Sequence, residues 1–202
     1  MIIRSPRAKS FNTAGPCDPI RHYALPLTPH LLQVRELIEK DRYFALHAPR
    51  QTGKTTALHT LESELNAEGD TTALLFSCET ARTTGDDYAA AEEILLHKLR
   101  EAAALSTLPE ELLPPDPWPQ VAPGSRFGAA LSEWCRRSRR RVVLILDEID
   151  ALQGANLVSI LSQLRDGHNA RHERASLGGD GRGVRTRVRG PEGQRKDRLG
   201  GR

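Results

Sequence analysis

Residues 43–56 read YFALHAPRQTGKTT, and this stretch constrains the fold of the 202-residue chain more tightly than any other. Tyr43 to His47 is a short apolar run that reads as a buried strand. It leads directly into Ala48-Pro49-Arg50-Gln51-Thr52-Gly53-Lys54-Thr55. From Lys54 to Ala67 come helix-forming residues with Leu58, Leu61 and Leu65 on one face, and Gly69 fits the C-terminal stop. Strand, glycine-bearing turn, Lys-Thr and helix together form the phosphate-loop pattern, with Ala48 in place of its first glycine. Such a loop cradles a triphosphate: backbone N–H groups wrap the phosphates and the helix points its positive end at them. Lys54 adds a point charge on the terminal phosphates, and Thr55 offers a hydroxyl to Mg2+. Gly53 supplies the tight turn, Ala48 is small enough to be tolerated, and Thr56 closes the candidate nucleotide-binding set 48–56.

A second element, Val142-Val143-Leu144-Ile145-Leu146-Asp147-Glu148, is a hydrophobic strand that delivers two adjacent carboxylates at its C-terminal edge. Ligands of open α/β sheets bind at that edge. Asp147 is the candidate Mg2+ residue, acting mostly through the water shell because magnesium dehydrates reluctantly. Glu148 is the candidate catalytic group that orients and polarises the attacking water, with Lys54 as its catalytic partner. A strand ending in two acids is a weak signal alone; behind a phosphate loop it becomes strong.

The rest of the pattern agrees. Thr28-Pro29 opens an amphipathic helix over 29–40, and 71–77 (TTALLFS) reads as a strand. Asp86 or Asp87 caps a helix over roughly 87–104. A proline-rich loop from Pro109 to Pro123 leads to a helix at about 126–139, and a last helix covers roughly 155–165. Strands alternating with helices, and apolar throughout, indicate a parallel sheet covered on both faces. The expected fold class is α/β.

Charge divides the chain. The formal net charge is only +3, but residues 169–202 hold nine Arg and one Lys against four acidic residues, a net of +6, which leaves −3 for the body. The tail reads either as a disordered Arg/Gly-rich arm for nucleic-acid phosphates or as an out-of-frame end, the second being favoured by its near lack of lysine. The longest aliphatic run, Val142 to Leu146, is far too short to cross a bilayer, and no apolar stretch follows Arg4, Arg7 and Lys9, so the expected location is the cytoplasm. Cys17, Cys78 and Cys135 are far apart and read as reduced, incidental thiols. The basic run from Arg136 to Arg141 sits at a predicted helix end, where cations favour the dipole. The histidines, His47, His59 and His97 among them, show no ligand spacing.

On APRQTGKTT at 48–56, VVLILDEID at 142–150 and the lead-in FNTAGPCDPIRHYALP at 11–26, the chain resembles the AAA-type bacterial P-loop ATPases of the additional-strand, catalytic-glutamate division. The resemblance covers roughly residues 11–168. It implies a three-layer P-loop NTPase fold, ATP binding with Mg2+, and hydrolysis that drives an attached module; a homo-oligomer or a protein is the implied partner, with no membrane. Tyr23 or His22 is the candidate contact to adenine, against simple surface packing. Such ATPases place a strand carrying a polar sensor residue beside the carboxylate-bearing strand. Nothing after Leu164 reads as that strand, and no arginine finger or helical lid is found, so the domain is expected to be incomplete at its C-terminus. The resulting division is an extended segment 1–27, a partial ATPase domain 28–168 and a disordered basic tail 169–202. The competing functions are a nucleic-acid-binding protein with ATP as its switch, and a fragment without activity.

Overall fold

The computed structural model describes residues 9–10, 28–40, 42–47, 52–176 and 184–188. Its elements in chain order are α1 (Thr28–Glu39), α2 (Lys54–Glu68), β1 (Thr71–Ser77), α3 (Tyr88–Leu105), α4 (Arg126–Arg137), β2 (Arg141–Asp147), α5 (Gly154–Ser176) and β3 (Val184–Val188), with short 3-10 turns at 79–84, 110–112 and 149–151. Local chemistry sets several boundaries. Gly69 stops α2 in the left-handed region at φ 84°, where a side chain would be strained. Asp87 caps α3 by accepting from Ala90 N at 3.0 Å.

The three strands are parallel in the order β1-β2-β3. Residues 142–147 of β2 are all buried, because helices cover both of its faces. Val143 and Ile145 pack with Ala73 and Leu75 against Val34 and Ile38 of α1 and Leu58, Leu61 and Leu65 of α2. Val142, Leu144 and Leu146 pack with Leu74 and Phe76 against α3, α4 and α5, around Leu95, Leu99, Phe127, Trp134 and Ile160. The alternation along one strand therefore serves two cores, and the architecture is the expected three-layer α/β/α. Arg35 of α1 pairs with Glu64 and Glu68 of α2, which ties the two helices on the first face together and raises the guanidinium's pKa. The proline-rich loop packs as well: Leu108, Leu113 and Trp118 lie on the second core, Arg100 stacks 4.8 Å from the Trp118 ring, and Trp134 Nε1 donates to Leu112 O at 2.9 Å.

Three expectations need correction. Tyr43 to His47 is not a strand; only Phe44 forms a single bridge. Both edges of β2 are taken, by β1 and β3, so the segment has no ladder beside it, and Phe44 and Leu46 instead pack partly buried on the α1–α2 core. A strand does follow Leu164: Val184–Val188 pairs in parallel with β2, Val142 opposite Val184 and Leu146 opposite Val188. Its Val-Arg-Thr-Arg-Val alternation is only five residues long and sits in Arg/Gly-rich sequence, so composition masked it. Finally, α5 continues past 165 to Ser176. The apolar period ends at Leu164, but residues of adequate helix propensity extend a helix that is already nucleated.

The outer edge of β1 is closed by side chains of α2. Asn66 accepts from Ala73 N at 2.7 Å and donates to Ala73 O at 3.0 Å, while Glu62 accepts from Leu75 N at 2.8 Å. An edge satisfied this way is a poor template for a foreign strand. Asn66→Leu is expected to cost about 1–3 kcal/mol and to increase aggregation on heating; unchanged urea midpoint and light scattering would count against the edge-closing role.

Candidate nucleotide site

The sheet brings the C-terminal ends of β1 and β2 to the N-terminus of α2. Gly53 precedes that helix at φ 76°, the left-handed turn expected of it, and Thr52 and Gly53 are exposed. Lys54, Thr55 and Thr56 follow in the first helical turn, all half-buried. Ala48, Pro49, Arg50 and Gln51 lie outside the described residues, as do Tyr23, His22 and Cys17.

The contact that unites the two motifs is Thr55 Oγ1 donating to Asp147 Oδ2 at 2.9 Å. Asp147 is 5% exposed, and its other oxygen accepts from Glu148 N at 3.0 Å. A hydroxyl and a carboxylate meeting beside the helix start form an all-oxygen donor pair, the chemistry that a hard divalent cation takes alongside phosphate and water. Groups of three or more His, Cys, Asp or Glu able to hold a metal ion are absent among the described residues. The pair thus fits magnesium better than a metal that needs a full protein cage.

Glu148 takes φ 55°, the one positive φ of a non-glycine residue among the described residues. It accepts from Ser77 Oγ at 2.7 Å. Ser77 ends β1 directly opposite Asp147 in the ladder, and its hydroxyl also accepts from Glu79 N at 3.0 Å. Sequence reasoning missed Ser77; the available signal was a polar residue closing the strand that pairs with the carboxylate-bearing one. Cys78, next in sequence, is fully buried. Burial, and then the charges of Asp147, Glu148 and Asp150, push its thiol far up, so it does not act as a nucleophile. His59, one turn after Thr55 on α2, lies 3.5 Å from Glu62, and that hydrogen bond raises its pKa.

A cleft of about 830 Å3 runs along β1 beside this site, lined among others by His59, Glu62, Ser77, Lys98 and Arg140. It meets the site at Ser77; Lys54, Thr55 and Asp147 do not line it. Arg136 and Arg137 occupy the last turn of α4, as expected of a helix-end cluster, and both donate to Glu133, whose carboxyl they hold down at about 2. Much of the basic tail lies outside the described residues, and no described helix is long and apolar enough to cross a membrane.

The model of one family, described as AAA domain, matches residues 38–178, more than half of the chain and including both motifs. No curated protein and no solved structure matches. With its α/β fold and the junction of Thr55 and Asp147, the chain belongs to the AAA domain family of P-loop nucleotide-binding proteins.

Proposed function

We propose that this chain binds ATP with Mg2+ and hydrolyses the terminal phosphate. The observation that carries the reading is the 2.9 Å contact of Thr55 with Asp147, which joins the loop residue and the strand carboxylate across the molecule. The cation would be held by Thr55 and by Asp147 through water, and when bound it neutralises charge on the phosphates. Residues 48–56 wrap the phosphates with backbone N–H groups, and the positive end of α2 adds to the attraction. Lys54 places its ammonium on the terminal phosphates. Glu148 orients and polarises the attacking water. With its carboxylate bonded to Ser77, Glu148 rests toward β1, and it must leave that donor to serve the water. The position of β3 beside β2 supports the additional-strand division of the family.

The test is equilibrium binding of Mg-ATP to the wild type and to Lys54→Ala. Loss of one charge-assisted hydrogen bond to phosphate predicts an affinity lower by about 10- to 100-fold. Equal affinities, or no binding by folded wild type, would overturn the assignment.

A further inference from the structure

Two polar contacts tie the turn after β1 to the start of α5. Asn156 is 1% exposed and donates through Nδ2 to Thr84 Oγ1 at 2.7 Å and to Gly85 O at 2.6 Å. Thr84 commits its own hydrogen to Ala81 O at 2.7 Å, so toward Asn156 it can only accept, and the amide's orientation follows. Asn156 Oδ1 is then buried without a hydrogen-bond partner among the described residues. Beside it, Ala155 N donates to Asp86 Oδ1 at 3.2 Å. Gly154, at φ 52°, leaves the space that Asp86 occupies: a Cβ there would overlap Asp86 Oδ1.

The 3-10 turn at 79–84 carries this latch to the nucleotide site. Its last residue, Thr84, is held by Asn156, and its first, Glu79, donates its N–H to the Ser77 hydroxyl that holds Glu148. Ala81 in the turn is buried in one cluster with Ile149 and Leu152, which follow Glu148. The segments after β1 and β2 are therefore fastened at both ends, by Ser77 to Glu148 at one and by Asn156 and Asp86 to α5 at the other. A latch serving stability alone would leave no buried acceptor unpaired; the orphaned carbonyl of Asn156 favours opening, since a small movement of α5 lets water reach it.

We propose that Asn156 and Asp86 are positioning residues for turnover, which fix the 79–87 turn against α5 so that Ser77 keeps Glu148 turned toward β1. The inference rests on the reading of Glu148 as the group that serves the attacking water. It makes α5, which leads into β3, the element through which a movement elsewhere in the molecule would release Glu148.

The experiment compares wild type with Asn156→Ala, Gly154→Ala, Ser77→Ala and the two doubles that include Ser77→Ala, by steady-state ATP turnover, Mg-ATP binding and hydrogen exchange of the Glu79 amide. Asn156→Ala and Gly154→Ala should each raise kcat about threefold with the nucleotide Kd unchanged, and each double should match Ser77→Ala alone, because residues acting as a unit are not additive. Glu79 N–H should exchange faster in every variant. Effects that multiply with Ser77→Ala, or a lower urea midpoint with unchanged kcat and Glu79 exchange, would overturn the proposal. Isosteric Asn156→Asp, which removes the amide donors, repeats the test if Asn156→Ala does not fold, and an unchanged kcat in it overturns the proposal as well. Wild type that binds Mg-ATP without turnover would overturn the Glu148 reading and this inference with it, an outcome distinct from unresponsive variants of an active wild type.

Discussion

Replacing Glu148 by glutamine is expected to lower ATP turnover by about 10²- to 10⁴-fold, the span that a positioned general base contributes. Mg-ATP affinity should stay within about twofold, because the change removes a transition-state interaction and leaves the phosphate-binding residues in place. Glutamine keeps the shape of the side chain, and its carbonyl still accepts from Ser77, but it takes no proton from water. The left-handed backbone at Glu148 provides a second readout. Holding a non-glycine residue there costs of order 1–3 kcal/mol, which glutamine retains. Glu148→Gly should relieve much of that strain and raise the urea midpoint while turnover is still lost. Single-turnover phosphate release with parallel nucleotide binding decides the matter; a glutamine variant within threefold of wild-type turnover would remove Glu148 from the chemistry.

Glu92→Ala is expected to destabilise the fold by about 3–5 kcal/mol, the cost of breaking a buried, fully bonded charge network. Glu92 is 0% exposed on α3. Its carboxylate accepts from Gly124 N at 2.7 Å, Arg126 N at 3.0 Å, Phe127 N at 3.3 Å and Gln163 Nε2 at 2.8 Å. Those backbone donors belong to the start of α4, whose N-cap residue Ser125 makes no side-chain cap bond. Glu92 therefore caps a helix to which it does not belong, satisfying N–H groups that would otherwise be orphaned and matching the positive end of the dipole. Gln163 extends the network from α5, accepting from Gly128 N at 2.9 Å. Glu92→Gln should be costly too, since its NH2 would face donors. Urea unfolding measures this as a lower midpoint at unchanged slope; a loss under about 1 kcal/mol would show that water replaces the carboxylate without difficulty.

Much of the fold was legible because its signals are local. The β1 segment reads TTALLFS and forms a strand with those bounds, Asp87 caps α3 as one of two candidates, and the buried face of α2 carries the leucines that the periodicity selects. The segment at 43–47 misled because an apolar run says that residues are buried, not that a neighbouring strand is free to pair with them. Val184–Val188 misled in the opposite sense: alternation over five residues among arginines and glycines is weak until β2 offers an edge.

For the site, the order of residues alone determined which groups carry chemistry: a lysine and a threonine behind a turn glycine, and two acids closing an apolar strand. These are motifs whose members are adjacent in sequence, so their spacing encodes their geometry. Their meeting was decided by the tertiary structure, since Thr55 and Asp147 touch only once α2 and β2 are packed in one sheet-and-helix layer. The same holds for Ser77, Glu92 and Asn156. Each is a common polar residue without a local pattern, and each acquires its role from partners 31 to 72 positions away. Sequence spacing specifies what a segment can do by itself; where its leftover donors and acceptors go is decided by the elements packed against it.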